Sequence, residues 1–333
     1  MTIKIGINGF GRIGRCVARA LMEEGFKNDI QLVAINGPAA TETHAHLLQY
    51  DSVHGRFSHK VTFDGDTMDI GQGPITITHT RNPEELDWAA LGVDVVLECT
   101  GRMNDPEKAS VHLKQGAKKV LISAPAGSDC KTIVYGVNSN DISADDTVLS
   151  VGSCTTNCLA PVAKVLHEAF GIEQGFMTTV HAYTSDQNIH DGSHKDLQRA
   201  RAAALSMVPT KTGAAKAIGL VLPELAGKLS GVAIRVPTPN VSLVDLTITT
   251  EKAVTKESIN QALKDAANGP MKGVLGVNER PLVSIDYNHE AASSIADLTG
   301  TVVMGDRFAR LAAWYDNEWG FSCRMLDVAK AIA

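Results

Sequence analysis

The 333-residue chain has no long apolar run and no strong excess of one charge, and these absences exclude two classes of protein. An uninterrupted apolar stretch of about 18 residues, the least that a transmembrane helix needs, occurs nowhere in it. The net charge is −6, and Lys and Arg form no run longer than a pair such as Lys118-Lys119. Because nucleic-acid-binding surfaces are usually basic, we expect neither a nucleic-acid partner nor membrane association.

The cysteines and histidines lack the spacings of metal sites. Six cysteines are scattered along the chain with no CxxC pair among them, and no HExxH segment occurs. No metal is therefore expected. The N-terminus has no basic segment followed by an apolar stretch of signal-peptide length. This pattern favours a cytoplasmic protein with buried or reactive thiols rather than disulfides.

The composition, 44% hydrophobic and 20% charged, is typical of a folded chain of about two domains. Up to about residue 150, short β-rich runs alternate with helix-compatible segments, which indicates parallel βαβ units. The first helix is predicted at 12–24 and ends at Gly25. The predicted strands of this half are 3–7, 32–35, 93–97 and 119–122.

The second half has longer and partly alternating strand patterns, which favour a mixed or antiparallel sheet with helices on one face. The last segment, 321–332, has a helical pattern and is expected to fold back on the first domain. The predicted strands are 176–182, 232–236, 241–249 and 282–286, and the predicted helices are 155–170 and 255–268.

A glycine-rich turn follows the first predicted strand. Gly9, Gly11 and Gly14 form a GxGxxG pattern that opens the first predicted helix. Glycines at these positions permit a tight turn and a close approach of the backbone to a pyrophosphate, and the helix N-terminus offers unpaired N–H groups to the anion. This context predicts a dinucleotide site.

The end of the second predicted strand lacks the acidic residue that such sites usually carry. A carboxylate there bonds the adenosine ribose hydroxyls and repels a 2′-phosphate. Here the strand ends in Asn36, Gly37 and Pro38. The pocket is therefore expected to tolerate NADP.

Cys154 directly precedes a helical pattern. A thiol at a helix N-terminus lies near the positive end of the helix dipole, so its pKa is expected to fall below the usual value of about 8.5. Cys158 lies one turn further on, and we interpret it as a structural neighbour. A disulfide between the two is the less favoured alternative.

His181 is the candidate base. It lies in an apolar, strand-like segment 27 residues after Cys154 (181 − 154), followed by the polar run 184–187. A lone histidine in a strand is more often a core residue than a catalyst. Paired with a cysteine at a predicted domain junction, it forms a reasonable nucleophile and base. The other histidines have no comparable neighbours in the sequence.

These patterns predict an α/β protein of two domains. A Rossmann-type dinucleotide-binding domain is expected at 1–152, completed by a C-terminal helix at 320–333. An α+β catalytic domain with a mixed or antiparallel sheet is expected at 153–319.

Along essentially its whole length the sequence resembles the phosphorylating glyceraldehyde-3-phosphate dehydrogenase family. The segments that carry the resemblance are 8–15, 153–161, 181–184, 209–217, 235–240 and 314–320. The resemblance implies that the Cys154 thiolate adds to an aldehyde, that His181 accepts the hydroxyl proton as hydride leaves, and that phosphate cleaves the resulting thioester. It also implies a homotetramer whose substrates are glyceraldehyde 3-phosphate and inorganic phosphate.

The resemblance assigns further residues to binding. Thr184, Arg199 and Arg235 would hold the phosphoryl group of the substrate. The attacking phosphate would lie against Ser153, Thr155, Thr212 and Gly213. Asn317 would contact the nicotinamide carboxamide, and the rest of the cofactor would be lined by Arg12, Ile13, Arg81 and Ser123.

Two departures from the family pattern concern the cofactor. Many NAD-specific members have Asp where this chain has Gly37. They also have Leu-Pro where it has Gly192 and Ser193, which lie in a loop that reaches the adenosine of a neighbouring subunit. Both departures favour NADP use alongside NAD. Gln198 and Phe321 also replace a common Arg and a common Tyr, and the second change removes a hydroxyl from the nicotinamide region.

Three other functions stay open on sequence grounds. The nearest is an erythrose-4-phosphate dehydrogenase, which shares the scaffold and nucleophile, although residues 181–184 favour the triose enzyme. A cysteine hydrolase or acyltransferase would not need the glycine-rich loop. An idle nucleotide-binding protein would not need both Cys154 and His181.

Overall fold

The computed structural model describes residues 2–333, which form two compact units. Unit 1 contains the chain up to Ser153 together with Ser322–Ala333, and unit 2 is Cys154–Phe321. Among the described residues, no helix combines the length and the apolar character needed to cross a membrane.

Unit 1 is built on a largely parallel sheet. Its strands are β1 (Ile3–Asn8), β2 (Ile30–Asn36), β3 (Tyr50–Asp51), β4 (Gly55–Arg56), β5 (Thr62–Asp64), β6 (Thr67–Asp69), β7 (Pro74–Thr78), β8 (Val95–Glu98), β9 (Lys119–Ile122) and β10 (Val148–Ser150). Its helices are α1 (Arg12–Glu23), α2 (Thr41–Gln49), α3 (Pro106–Ala109) and α4 (Val111–Lys114), with short 3-10 turns at Phe26–Asn28, Pro83–Glu85 and Ser139–Asp141.

The strand order of this sheet is β10-β9-β8-β1-β2-β7-β6-β5. Pairing is parallel from β10 to β7 and antiparallel for β6 and β5, while β3 and β4 form a separate hairpin. In register, Asn8 lies opposite both Asn36 and Glu98. The carboxyl ends of the central strands therefore share one edge, where ligands bind in open α/β sheets.

Unit 2 is built on a mixed sheet. Its strands are β11 (Ile172–Ala182), β12 (Val208–Lys211), β13 (Leu229–Val236), β14 (Ser242–Thr250), β15 (Leu275–Asn278), β16 (Ser294–Met304) and β17 (Phe308–Tyr315). Its helices are α5 (Cys154–Phe170), α6 (Ala214–Val221) and α7 (Lys256–Asn268), with 3-10 turns at Pro223–Leu225 and Ser284–Tyr287. The last helix, α8 (Trp319–Ile332), begins here, but Ser322–Ala333 is part of unit 1.

The strand order in unit 2 is β12-β13-β11-β14-β17-β16-β15, in which β11 pairs in parallel with β13 and antiparallel with β14. Buried residues alternate with half-buried ones along β14, and α5 packs on β14, β16 and β17. The face of the sheet toward α5 thus forms the core of the unit. The predicted mixed sheet is confirmed.

Most predicted elements are present within a few residues of their expected bounds. Gly25 follows the end of helix α1, and its φ of 82° is the left-handed conformation that ends many helices. Thr255 directly precedes helix α7 and caps it, since its hydroxyl accepts a hydrogen bond from the N–H of Ser258. Both boundaries follow from local chemistry.

The strand predicted at 282–286 is wrong. This segment contains a 3-10 turn, Ser284–Tyr287, in which the carboxylate of Asp286 accepts a hydrogen bond from the N–H of Val283. Val283 and Ile285 are exposed. The apolar residues that suggested a strand therefore have no sheet to pair with, and the local carboxylate stabilises a turn instead.

Candidate active site

The glycine turn after β1 has the tight geometry that a pyrophosphate site requires. Gly9 has a φ of 96°, and a Cβ there would lie 2.6 Å from the backbone nitrogen of Thr100. A Cβ on Gly14 would lie 2.3 Å from the carbonyl oxygen of Gly9. A Cβ on Gly11 would instead point into open space. Two glycines are thus needed for packing, and Gly11 leaves room for a ligand.

A cavity of about 690 Å³ opens beside this turn, within the usual size range of cofactor sites. Four of the residues predicted to bind the cofactor line it: Gly9, Gly11, Gly37 and Arg81. The ionisable side chains at its surface are mostly basic. They are Arg15, His44, Arg81, Arg102 and Lys108, against the single carboxylate of Glu84.

Other predicted cofactor residues of unit 1 lie near the turn without lining this cavity. Ile13 and Gly14 are in the first turn of α1, and Arg12 forms a two-pronged ion pair with Asp51, with N–O distances of 2.5 and 3.2 Å. Ser123 follows β9 and donates its backbone N–H to the carbonyl oxygen of Glu98.

A buried polar network beneath the cavity fixes the strand ends. Asn8 donates to the carboxylate of Glu98 at 2.6 Å, and Nε2 of His112 lies 3.1 Å from the same oxygen. Trp88 donates its indole N–H to Nδ1 of His112, so Nε2 of a neutral His112 carries the proton and donates to Glu98. Thr100 bonds the second carboxylate oxygen through its N–H and hydroxyl.

This network was not predicted from the sequence. His112 and Glu98 are fully buried partners. The two residues lie 14 positions apart, on α4 and at the end of β8, and only the fold brings them together.

Cys154 is the first residue of α5, and it is partly exposed. The positive φ of Gly152, 71°, turns the chain into this helix. Cys158 is buried one turn deeper, with its sulfur 3.4 Å from the hydroxyl of Ser294. All six cysteines are free thiols, so the structure contains no Cys154–Cys158 disulfide.

His181 lies near the end of β11 with its ring directed at Cys154. Its Nε2 is 3.5 Å from the sulfur of Cys154, and its Nδ1 is 2.7 Å from the carbonyl oxygen of Ala182. When Nδ1–H donates to that carbonyl, Nε2 has a lone pair that can accept a proton. The sequence pair predicted as nucleophile and base is therefore within reach of a single proton transfer.

Arg235 lies on the other side of the imidazole, at the end of β13. Its Nη1 donates to the carbonyl oxygen of Ala182 at 3.0 Å and to the hydroxyl of Thr184 at 3.3 Å. The same nitrogen is 3.0 Å from Nδ1 of His181. Arg235 can therefore also donate to Nδ1 when that atom has no proton, so the surroundings accommodate either neutral tautomer.

The protonation of the pair follows from its burial. Burial, and then the charge of Arg235, lower the pKa of His181 to about 3. Burial raises the pKa of the Cys154 thiol above its ordinary value, although Arg235 and the N–H groups at the helix start oppose this. The expected lowering of the thiol pKa is therefore wrong for the ligand-free protein, because desolvation outweighs the helix terminus. The resting pair is a neutral thiol and a neutral imidazole.

Arg199 lies in the same neighbourhood, since its charge contributes to lowering the pKa of both His181 and Arg235. It pairs with the carboxylate of Asp186 and donates through Nε to the hydroxyl of Thr210 at 3.1 Å. Together with Thr184, the two arginines form a basic group beside the Cys–His pair. Asp186 and Thr210, which orient Arg199, were not singled out from the sequence.

Tyr315 supports this group from the core. Its hydroxyl lies 2.8 Å from that of Thr155 and 2.9 Å from that of Thr179, and its ring meets His181 edge to face. Thr155 is buried in this contact. The motif 314–320 contained Tyr315, but nothing in the sequence indicated what it touches.

The remaining predicted phosphate residues lie at helix starts. Thr212 and Gly213 precede α6, and the hydroxyl of Thr212 accepts from the N–H of Ala214. Helix α6 packs on α5. Ser153 directly precedes Cys154.

Comparison with known proteins decides the family. Residues 3–106 match the description "Glyceraldehyde 3-phosphate dehydrogenase, NAD binding domain", and residues 153–317 match "Glyceraldehyde 3-phosphate dehydrogenase, C-terminal domain". The chain belongs to the glyceraldehyde 3-phosphate dehydrogenase family.

Several relatives match over the whole chain. A glyceraldehyde-3-phosphate dehydrogenase of Cereibacter sphaeroides is 59% identical over 332 residues, covering 100% of this chain and 99% of that protein. Proteins of the same name from Xanthobacter flavus and Geobacillus stearothermophilus are 58% and 54% identical, with the same coverage. This chain is thus an NAD-binding oxidoreductase of the same family.

Asn317, the predicted nicotinamide contact of the family, is held by its neighbours in unit 2. Its Oδ1 accepts from the hydroxyl of Ser242 at 2.7 Å, and Ser242 in turn accepts from the N–H of Ala182. The residue before this serine, Val241, has a φ of 67°, which is strained for a β-branched side chain. With this backbone conformation at Val241, the hydroxyl of Ser242 hydrogen-bonds both Ala182 of β11 and Asn317.

The three residues at which this chain was expected to depart from the NAD-specific pattern lie in different units. Gly37 follows β2, and a Cβ there would lie 2.6 Å from Nε2 of His44. Gly192 and Ser193 are exposed, and Asn188 donates to the carbonyl oxygen of Gly192 at 2.8 Å. His44 was not identified from the sequence.

Proposed function

We propose that this protein converts D-glyceraldehyde 3-phosphate, phosphate and an oxidised nicotinamide dinucleotide to 1,3-bisphosphoglycerate, with Cys154 as nucleophile and His181 as base. The observation that supports these roles most directly is the 3.5 Å contact of the Cys154 sulfur with Nε2 of His181, with Arg235 behind the imidazole. The imidazole can accept the thiol proton, and the nearby arginine charge favours the thiolate that forms.

In the first half-reaction, the thiol proton passes to His181, the sulfur of Cys154 adds to the aldehyde carbon, and the imidazolium returns the proton to the carbonyl oxygen, which becomes a hydroxyl group. His181 then removes the proton of the hydroxyl group that results, which favours departure of hydride from the same carbon. When bound, the nicotinamide ring accepts this hydride. A thioester remains on Cys154.

In the second half-reaction, a phosphate oxygen attacks the thioester carbonyl, the carbon–sulfur bond breaks, and Cys154 leaves as thiolate. We propose that Thr184, Arg199 and Arg235 hold the phosphoryl group of the substrate, because guanidinium forks suit phosphate oxygens. Ser153, Thr155, Thr212 and Gly213 are proposed for the attacking phosphate. Gly213 precedes helix α6, whose free N–H groups favour an anion.

Cofactor binding is proposed at the cavity of unit 1. The open space over Gly11 and the close packing at Gly9 and Gly14 fit a pyrophosphate against the start of α1. Arg12, Ile13, Arg81 and Ser123 are proposed to surround the dinucleotide from unit 1. Asn317 of unit 2 is proposed to bond the nicotinamide carboxamide.

We further propose that NADP serves alongside NAD. The support is the missing carboxylate at Gly37 and the mainly basic side chains of the cavity, since both favour a 2′-phosphate. Steady-state constants for the two cofactors on one preparation test this proposal. A kcat/KM for NADP more than about a hundredfold below that for NAD, near 2.7 kcal/mol, contradicts it.

Gly37→Asp sharpens the cofactor test. A carboxylate near the ribose is expected to weaken NADP use far more than NAD use, because it repels the 2′-phosphate. The new side chain must also displace His44, since its Cβ would lie 2.6 Å from that ring. Equal losses with both cofactors would show that the change acts through packing alone.

A homotetramer is proposed as the assembly. Its support is a group of large apolar side chains exposed in the loop between β11 and β12, a feature typical of interaction surfaces. They are Ile189, Leu197, Leu205 and Met207, each at least 74% exposed. Sedimentation equilibrium tests this proposal, and a monomeric mass at micromolar concentration would refute it.

The erythrose-4-phosphate alternative has no support in the geometry or among the relatives named above. Comparing both sugars, with and without phosphate, separates the two. Faster turnover of the four-carbon sugar with little dependence on phosphate would reverse the assignment. A cysteine hydrolase would stay active without dinucleotide, and repeating the assays with the dinucleotide left out detects such activity.

A further inference from the structure

His44 is a buried histidine in the cofactor cavity to which the proposed chemistry gives no role. It lies on α2, its side chain is 4% exposed, and it lines the cavity beside Gly37. Its ring meets Phe10 edge to face, with the ring centres 5.5 Å apart. Within residues 2–333, Nε2 of His44 has no hydrogen-bond partner. The main chain of Gly37 lies close to the ring but makes no hydrogen bond to Nε2 of full geometry. Because a buried polar nitrogen is rarely left without a partner, this atom is available to bond a ligand in the cavity.

The ring of His44 lies where a side chain on residue 37 would be, because Gly37 has none. A Cβ on Gly37 would lie 2.6 Å from Nε2 and 2.8 Å from Cε1 of the imidazole. The ring therefore fills the space that a side chain at the end of β2 would otherwise occupy. In dinucleotide folds, that place faces the adenosine ribose and usually holds a carboxylate, which only accepts hydrogen bonds. Here it holds a group that can donate.

The charges around His44 are basic. Arg15 of α1 and His79, which follows β7, both face it, and the main chain of Gly37 lies close to the ring. His79 itself is paired with Asp66 at 2.9 Å. Burial, with the two basic neighbours, lowers the pKa of His44 despite the contact with Gly37, so the ring is neutral at pH 7 in the free protein. A dianion placed against Nε2 would reverse this by stabilising the imidazolium.

We propose that His44 binds the 2′ substituent of the adenosine ribose, and that it takes up a proton when that substituent is a phosphate. With a 2′-phosphate, Nε2–H donates a charge-assisted hydrogen bond from the imidazolium. With a 2′-hydroxyl, the ring stays neutral and forms an ordinary hydrogen bond. This inference rests on the proposed use of NADP, and it names the residue responsible.

Proton uptake on binding tests the proposal without any turnover. Titration calorimetry of the unmodified protein at pH 7.5, in two buffers of different ionisation enthalpy, gives the number of protons bound with each ligand. We expect an uptake of up to about one proton with NADP and none with NAD. The 2′-phosphate, with a pKa of about 6, is already mostly a dianion at this pH and can only release protons. Proton uptake therefore reports a group of the protein, and the His44 variants decide whether that group is His44.

The Kd for NADP should also rise as the pH is raised from 6.5 to 8.5, while the Kd for NAD stays flat. His44→Leu should raise the Kd for NADP by roughly ten- to a hundredfold, the usual effect of losing a hydrogen bond to a charged group. It should abolish proton uptake and change the Kd for NAD less than about threefold. His44→Asn should keep part of the affinity but lose its dependence on pH.

His46→Leu is the matched control, because His46 is exposed on the same helix and its ring contacts Tyr50 rather than the cavity. It should leave both Kd values unchanged. If the unmodified protein binds NADP more than about a hundredfold more weakly than NAD, the proposal on cofactor use fails and this one fails with it. If NADP binds well but is bound without proton uptake, or if uptake persists in His44→Leu, only the role of His44 is refuted.

Discussion

The two units form their candidate sites by different means. In unit 1 the site is a tight main-chain turn at Gly9, Gly11 and Gly14 beside an open cavity whose ionisable side chains are mostly basic. In unit 2 the site consists of side chains at the ends of secondary structure, namely Cys154, His181 and Arg235. Substitutions in unit 1 should therefore act on binding and folding, and those in unit 2 on chemistry.

The largest expected effect is that of Cys154→Ser in unit 2. A serine hydroxyl next to a neutral imidazole is a far weaker nucleophile than a thiolate, so kcat for the oxidation should fall by about 10⁴-fold or more. Binding of the dinucleotide, followed by titration calorimetry, should not change. Loss of cofactor binding in this variant would contradict the division of roles between the units.

His181→Asn should lower kcat by about 10²- to 10⁴-fold, because the hydroxyl proton then has no positioned acceptor. Asn keeps a polar group near the Ala182 carbonyl, which limits the loss of stability. If kcat changes less than tenfold while the fold is intact by circular dichroism, another group must act as the base.

The glycine turn of unit 1 offers a paired test of packing against binding. Gly9→Ala places a methyl group against the Thr100 backbone at a φ of 96°, so it should cost about 1–3 kcal/mol of stability and lower cofactor affinity. Gly11→Ala meets nothing within 4 Å and should keep full stability. It should still weaken cofactor binding by projecting into the cavity. Equal unfolding free energies for the two variants would contradict this reading of the turn.

The reactivity of Cys154 should depend on pH in a way that reflects its burial. Because burial raises its thiol pKa above the ordinary value, the thiolate fraction of the protein should keep increasing through pH 7 to 8.5, by up to tenfold per pH unit. Alkylation rates by iodoacetamide, with the labelled residue identified by mass spectrometry, measure this increase. A plateau below pH 7 would show that the helix start and Arg235 outweigh desolvation.

The smallest expected effect concerns Asp51 in unit 1. Burial alone would raise its pKa, but hydrogen bonds from the His54 N–H, Arg12 and the Val53 N–H outweigh it and lower the pKa to about 2. A lowered carboxyl pKa stabilises the fold above pH of about 4, and this contribution is lost as the pH falls toward 2. Asp51→Asn should cost about 1–2 kcal/mol at pH 7 and almost nothing near pH 2, as measured by urea unfolding.

Local signals in the sequence predicted much of unit 1 and less of unit 2. Strand β9 was predicted with its observed bounds, and α1 within one residue, because an apolar run and a glycine stop mark them. Strands β16 and β17 were not predicted, although β17 carries Tyr315. The predicted strand at 282–286 was wrong because a short apolar run has no fixed structure until a partner strand is available.

The sequence by itself determined the glycine turn, the start of α5 within one residue and the family, because each depends on residues adjacent in the chain. The tertiary structure alone decided which distant groups meet. It placed His181 against Cys154, Arg235 behind the imidazole, and His44 in the space left by Gly37. It also decided the protonation of the Cys–His pair, because the pKa of each group depends on burial and on charges contributed by separate strands.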